Sequence, residues 1–252
     1  MQCALSETSI VVNGERLILD PAGVLYWPAE RTAVFADLHF EKGSSLARRG
    51  ALLPPYDTHE TLRRMGDVLA RRTVWRVIAL GDSFHDGDAA ERLDEGARKD
   101  LETQVRRSEW IWIAGNHDPS PPVWLGGVVV SEIAIGNLTF RHQPLATARA
   151  GEVAGHLHPC ATVVRRGRGL RRRCFVSDGS RLLLPAFGAY AGGLDVHETP
   201  IAMLFPDSFL TYVLGARRAY AVATTNAAHK LWRKTSEDSQ PSSIAAATAN
   251  TP

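Results

Sequence analysis

The stretch EWIWIAGNHDP, residues 109–119, runs from large apolar side chains directly into a glycine, an amide, an imidazole and a carboxylate. Its apolar half is typical of a buried strand, because it is short and rich in Ile and Trp. Its polar half begins where that strand ends. A single polar turn of this kind is ordinary, so its meaning depends on how the other strands of the chain end.

Five apolar runs in the sequence are followed by polar residues that can bind metal ions. The polar segments are DLH at 37–39, GD at 81–82, GNHD at 115–118, RH at 141–142 and GHLH at 155–158. Because ligands of open α/β sheets bind beyond the carboxyl ends of the strands, these segments are expected to meet. Their donors are carboxylate, amide and imidazole groups without a thiolate. This mixture favours Mn, Fe or Zn, and the donors are numerous enough for two cations.

Each segment taken alone also has a structural explanation. An Asp-x-His sequence is common at strand ends, and His142 before Gln-Pro could be an ordinary turn residue. His156 and His158 are better evidence, since residues two apart in an extended segment point to the same side. The occurrence of all five segments in one chain favours a metal site over five unrelated turns.

The order of apolar patterns predicts an α/β fold. One helix is predicted in the segment 56–72, with Asp57 as its N-cap, and a second from about 88 to 107. These helices alternate with strands at 32–36, 76–80 and 111–114. Strands connected in this way are parallel, and the rest of the chain is dominated by further strands. We therefore predict a sandwich of two mixed β-sheets flanked by helices.

Composition predicts one domain over residues 1–223 and a flexible, low-complexity tail over 224–252, which is poor in large apolar groups. No apolar run approaches the ~18 residues of a membrane span, and the first residues lack a signal-peptide pattern. A cytoplasmic protein without membrane association is therefore expected. Only four of the 29 basic residues are lysines, and the stretch RRGRGLRRR at 165–173 holds six arginines.

The five segments together resemble the calcineurin-like metallophosphoesterase superfamily, whose pattern is D-x-H, G-D, G-N-H-[DE], a His and G-H-x-H. The likeness covers about residues 10–215. A finer resemblance, to bacterial ligase-associated DNA damage response endonucleases, rests on ADLHFEKG (36–43), LPPYDTHETL (53–62) and LPAFGAYAGGLDV (184–196). The superfamily implies a phosphoesterase with two divalent metal ions, of which Mn²⁺ is the first expectation and Fe or Zn the alternatives.

The resemblance also implies a role for each matching residue. One metal would be held by Asp37, His39, Asp82 and His158, and the other by Asp82, Asn116, His142 and His156. Asp82 would then bridge the two ions, and a hydroxide that they share would attack phosphorus. His117 would stabilise the phosphoryl oxygens or protonate the leaving group, with Asp118 orienting its ring. For His85, contact with phosphate and simple packing remain equal alternatives.

Three interpretations of the substrate follow. The first is a DNA endonuclease in DNA repair, for which the resemblance implies a DNA ligase and a repair helicase as partners. The sequence feature that supports it is a predicted β-hairpin over 161–177, whose tip would carry Arg171, Arg172 and Arg173 to phosphates. The alternative is a hairpin whose charges are only solvated. The second is a phosphoesterase of nucleotides or other small phosphoesters. The third, a scaffold without turnover, is disfavoured because His117 and all seven expected ligands are present.

Overall fold

The computed structural model describes residues 7–51, 53–147, 149–165 and 167–225. Within them, two β-sheets pack face to face around a shared core, and each sheet contains both parallel and antiparallel strand pairs. Helices cover the outer faces. This arrangement confirms the predicted α/β sandwich of two mixed sheets.

The first sheet has seven strands in sequence order. They are β1 Thr8–Val12, β2 Glu15–Asp20, β3 Val24–Trp27, β4 Thr32–Phe35, β5 Arg76–Leu80, β6 Glu109–Ile113 and β7 Val128–Val130. The pairs from β1 to β4 are antiparallel, and the pairs from β4 to β7 are parallel. The alternation of helices and strands predicts this parallel pairing of β4, β5 and β6. It brings the carboxyl ends of the three strands to one edge.

The second sheet follows the order β15-β14-β12-β13-β10-β9-β8. Its strands are β8 Glu132–Ile135, β9 Leu138–Arg141, β10 Glu152–Ala154, β12 Arg168–Ser177, β13 Leu182–Leu183, β14 Ser208–Leu214 and β15 Ala219–Thr225. Strand β10 is parallel to both β9 and β13. Strand β11, Cys160–Arg165, pairs with β12, and the two form the predicted hairpin.

Alternation along the strands divides the buried side chains between separate cores. In β5, Ile78 belongs to the core between the sheets, whereas Val77 belongs to the core beneath the helices. The core between the sheets includes a ring contact between Trp27 of β3 and Phe140 of β9, with centroids 6.2 Å apart. Three helices, α1 Lys42–Arg48, α2 Asp57–Ala70 and α3 Glu95–Val105, lie on the side of the first sheet, and α4 Thr199–Ala202 covers the second.

Two helix predictions need correction. Asp57 is not the N-cap of α2 but its first residue, because Tyr56 holds the cap position and the Asp57 carboxylate accepts a hydrogen bond from the backbone N–H of Gly43. The second predicted helix is interrupted: a 3₁₀ turn at Ala89–Arg92 is followed by α3, which begins after Asp94. The Asp94 carboxylate accepts from the N–H of Ala97 at 2.9 Å and so starts a new helix.

A buried charge cluster ties the second sheet to its neighbouring loops. Arg181 and Glu152 are each 1% exposed and form an ion pair, and Arg181 also donates to the carbonyl oxygens of Leu145 and Leu204. The guanidinium of Arg141 lies 3.5 Å from the same Glu152 carboxylate. Glu152 therefore stands between two buried cations at the start of β10.

The predicted tail, 224–252, lies outside the described residues except for 224 and 225, which complete β15. In the part of the chain that the structure describes, no helix has the length and apolar character needed to cross a bilayer.

Candidate metal centre

The five polar segments converge at one edge of the sandwich. The first three follow β4, β5 and β6 of the first sheet, and the other two follow β9 and β10 of the second sheet. Six of the predicted ligands form two groups, in each of which the donor atoms lie within 4.8 Å of one another. The first group is Asp37, His39 and His158, and the second is Asp82, His142 and His156. Each group takes side chains from both sheets.

In the first group, two imidazole nitrogens face each other. Nε2 of His39 lies 3.3 Å from Nε2 of His158, which is also 3.3 Å from Oδ1 of Asp37. Two facing ring nitrogens can share only one proton between them, whereas both can offer lone pairs to one cation. The geometry therefore fits a divalent ion that accepts nitrogen and oxygen ligands.

The second group has the same character and gains a fourth donor. Nε2 of His142 lies 3.3 Å from Oδ1 of Asp82 and 3.2 Å from Nδ1 of His156. The side-chain oxygen of Asn116 approaches the same nitrogen at 2.9 Å, so that Asn116 stands where the sequence predicts a ligand. Oxygen and imidazole donors without sulfur suit Mn, Fe or Zn. The two groups together fit a centre with two metal ions.

The backbone is strained at these positions. Five of the predicted ligands have positive φ angles: Asp37 (52°), His39 (46°), Asp82 (46°), His156 (67°) and His158 (47°). Residues other than glycine rarely adopt this region, and each instance costs about 1–3 kcal/mol. Such strain persists only where the surrounding structure enforces it, and it is concentrated at functional sites.

Gly115 allows the closest approach within the site. A Cβ atom at this position would lie 2.2 Å from the backbone nitrogen of Asp82 and 2.5 Å from Oδ1 of Asp118. No side chain can be accommodated there without moving the ligand loops. The glycine that opens the GNHD segment is thus required by packing around Asp82.

The electrostatic environment favours the protonation states in which imidazole and carboxylate groups bind metal ions. Burial lowers the pKa of His39 to about 3, a shift that Asp37 opposes and His158 reinforces, so His39 is the neutral imidazole that a metal requires. Burial alone would raise the pKa of Asp82. The hydrogen bond and charge of His142 and the N–H of His117 outweigh it and hold the pKa well below its ordinary value.

His85 supports two other histidines. Its Nδ1 lies 3.4 Å from Nδ1 of His39, and its backbone carbonyl accepts a hydrogen bond from Nδ1 of His117 at 2.8 Å. Its ring stacks on that of His117, with centroids 5.3 Å apart. These contacts place His85 next to His39 and His117, where groups that support metal ligands are commonly found.

Asp118 does not orient the His117 ring, and that prediction is wrong. Its Oδ2 accepts hydrogen bonds from the backbone N–H groups of Ser83 and Phe84, and the described residues give Oδ1 no hydrogen-bond partner. Burial raises the pKa of Asp118 to about 7 against the effect of these two bonds. Its role is to fix the loop after β5.

The three predicted phosphate-binding arginines lie on β12, away from the hairpin tip, opposite residues 160–162 of β11. Arg172 is exposed, and Arg171 donates to the carbonyl of Gly193. The guanidinium of Arg173 donates hydrogen bonds to carbonyl oxygens of the 187–191 loop, including those of Phe187 and Gly188. That loop contacts the site, because the N–H of Gly188 donates to the carbonyl of Asp37 at 3.1 Å.

Sequence reasoning did not identify Lys42 as a residue of the site. Burial lowers the pKa of His39 and of His85, and the charge of Lys42 adds to both shifts. The available signal was its position in DLHFEK, three residues after His39, where the turn into α1 returns the chain to the strand ends.

Comparisons with known proteins agree with this geometry. The family model described as calcineurin-like phosphoesterase matches residues 30–203. Among solved structures, the crystal structure of Pseudomonas putida nuclease MPE is similar to this chain with a TM-score of 0.67 and 28% sequence identity. The likeness covers 86% of this chain and 100% of that one. No curated protein gives a significant sequence match.

Proposed function

This chain belongs to the calcineurin-like phosphoesterase family, and from that premise we propose that it is a two-metal phosphodiesterase that cleaves DNA internally. The metal-dependent phosphoesterase activity follows from the family. The choice of nucleic acid is supported by one observation, the likeness to a nuclease along that protein's full length. Mn²⁺ as the metal, a cytoplasmic location and a repair role with a DNA ligase and helicase are parts of the same proposal, supported by the sequence resemblance.

The two donor groups would hold the metal ions, with Asp82 between them as the bridge. Two divalent ions supply a nucleophile from water at neutral pH and neutralise charge on the phosphate. Asp37 is held for this purpose by the backbone N–H of His156, and Asp82 by that of His117. These hydrogen bonds fix the orientation of both carboxylates.

His117 has the position of the acid–base residue. Because its Nδ1–H donates to the carbonyl of His85, Nε2 remains for the substrate. Nε2 lies 3.9 Å from Oδ2 of Asp82, and the side chain is 41% exposed, so a phosphoester can reach it. In the imidazolium form, in which both ring nitrogens carry a proton, the Nε2–H would stabilise a phosphoryl oxygen or pass its proton to the leaving oxygen. His85 and the exposed Arg171 and Arg172 are proposed as further contacts to phosphate.

His117→Ala is expected to slow nicking of closed circular DNA in Mn²⁺ about 10²-fold, because one acid–base group is lost. His59→Ala is the matched control: His59 is an exposed residue of α2 that contacts Asp94, remote from the site, and should nick like the unmodified protein. Gel separation of closed, nicked and linear circles gives the rates.

Equal nicking by all three proteins would contradict the role of His117 and indicate a contaminating nuclease. If the unmodified protein hydrolyses bis(p-nitrophenyl) phosphate or nucleotides but leaves the circle intact, the small-phosphoester interpretation replaces the proposed one.

Arg173→Ala is expected to lower kcat about 10-fold, since the 187–191 loop loses its guanidinium anchor next to Asp37. Arg172→Ala, on the exposed neighbour, should change only the salt dependence of DNA binding. Steady-state kinetics on bis(p-nitrophenyl) phosphate separates the two. An unchanged kcat for the Arg173 variant would show that the loop needs no such anchor.

A further inference from the structure

Lys42 is a half-buried cation beside the candidate metal centre. It is the first residue of α1, and its backbone N–H donates to the carbonyl of His39 at 3.3 Å. Within the described residues, its ammonium group forms no hydrogen bond and has no carboxylate within 4.0 Å. The nearby Glu41 carboxylate is instead bound by Thr58. A charge that is partly desolvated and unpaired is costly, and such costs are retained where a ligand supplies the partner.

Charges of both signs surround Lys42. Burial lowers the pKa of Lys42; Asp57 and Asp37 oppose the shift, and Arg173 adds to it. Arg173 and the neighbouring Arg64 are bound by backbone carbonyls and have no ion-pair partner among the described residues. Asp37 is itself a predicted ligand, so its charge is shared with the metal centre. Neither Asp57 nor Asp37 forms an ion pair with the Lys42 ammonium, which leaves that charge available to an external anion.

Helix α1 continues the positive surface outward. Lys42, Ser45 and Arg49 are three and seven residues apart, which places them along one face of the helix. Arg49 lies just beyond the end of α1; within the described part of the chain it has no hydrogen bond or ion pair from its side chain, and its charge also lowers the pKa of His85. It lines a cleft of about 360 Å³ whose wall includes Ser45 and Gly87.

The acidic residues of this cleft are already paired. The carboxylate of Asp86 accepts two hydrogen bonds from Arg92 at 2.8 Å, and Asp88 lies 3.8 Å from Arg48. Arg92 also donates to the hydroxyl of Ser44, and this fastens α1 in place. Among the described residues that line the cleft, Arg49 is the cation whose side chain is left for an external anion.

We propose that Lys42 and Arg49 form a phosphate track that binds the backbone of a nucleic-acid strand on the His85 side of the metal centre. This inference rests on the proposed function and narrows it to a substrate with several phosphates. Seven helical residues span about 10 Å, which equals about three charges at the 3.4 Å axial spacing of one strand. A small phosphoester, with one phosphate, cannot occupy such a track.

Lys42→Met tests the track through the salt dependence of binding. The probe is a short fluorescein-labelled single-stranded oligonucleotide, titrated by anisotropy over a KCl series in Ca²⁺, with gels to verify that it stays intact. Loss of one phosphate contact should reduce the slope of log affinity against log salt by about 0.7, and Lys42→Met with Arg49→Ala by about 1.4. Lys42→Arg should keep the slope.

Lys99→Met is the matched control, because it removes the same charge from the exposed surface of α3 and should leave the slope unchanged. Lys42→Met should melt at or above the temperature of the unmodified protein, since it removes an unpaired, half-buried charge. A slope equal to that of the unmodified protein and Lys99→Met would overturn the track, while nicking of circular DNA by the unmodified protein would keep the proposed function. An unmodified protein that binds no oligonucleotide also overturns the track, whereas the proposed function is decided by the nicking of circular DNA.

Discussion

Asp82→Asn is expected to reduce kcat/KM for bis(p-nitrophenyl) phosphate about 10³- to 10⁴-fold, equivalent to about 4–5.5 kcal/mol of transition-state stabilisation. Oδ1 of Asp82 lies 3.3 Å from Nε2 of His142 and accepts the N–H of His117. Asparagine keeps the shape and that hydrogen bond but removes the negative charge that two neighbouring cations require. Metal content after desalting, measured by mass spectrometry, should fall with activity.

Asp100→Asn provides the control for this substitution, because it makes the same chemical change on the exposed face of α3. It should retain both metal and activity. If the Asp82 variant kept its metal content and turnover, Asp82 would not be the bridging ligand, and Asp37 would be the next candidate for that role. Oδ1 of Asp37 lies 3.7 Å from Nδ1 of His142, so it too approaches both donor groups.

Glu152→Ala is expected to lower the free energy of unfolding by about 3–5 kcal/mol, because it leaves the buried Arg181 without its carboxylate and Arg141 with only the half-exposed Glu132. In a domain of this size the melting temperature should fall by about 6–20 °C. Thermal unfolding followed by circular dichroism, together with urea titration, measures the change. A second, milder variant, Glu152→Gln, keeps hydrogen-bonding capacity, and its stability should lie between those of the unmodified protein and Glu152→Ala.

Glu132→Ala is the matched comparison, since Glu132 also contacts Arg141, at 2.9 Å, but is 49% exposed. Removal of a solvent-exposed carboxylate from an ion pair should cost less than about 1 kcal/mol. Equal losses in the two variants would mean that burial does not govern the cluster at the start of β10.

The metal centre was predictable because its chemistry is local in sequence. Each ligand stands within four residues of an apolar run, and apolar runs of this kind become buried strands whatever surrounds them. Asp37, Asp82 and Asn116 follow parallel neighbours, so a correct strand order was enough to bring them together. The sandwich architecture could be inferred in the same way.

Features that depend on tertiary contacts were not predictable. Asp57 has the residue type and spacing of a cap, yet Gly43, fourteen residues away, takes its carboxylate. Asp118 follows His117 directly, yet the loop after β5 binds it. Arg173 belongs to a charged run that suggests a solvent-exposed surface. It pairs with Cys160 across the hairpin, however, and its side chain points inward to backbone carbonyl groups. Local pattern carries no information about such long-range partners.

The donor groups have a mechanical consequence for the whole sandwich. Because each donor group combines side chains from both sheets, a bound ion would cross-link the two sheets. The spacing of the layers is set by inter-sheet contacts such as that of Trp27 with Phe140, two residues before His142. Substitutions in this core would therefore weaken metal binding although every ligand is unchanged, because a shift of about 1 Å between the two sheets is enough to disturb the ligand geometry.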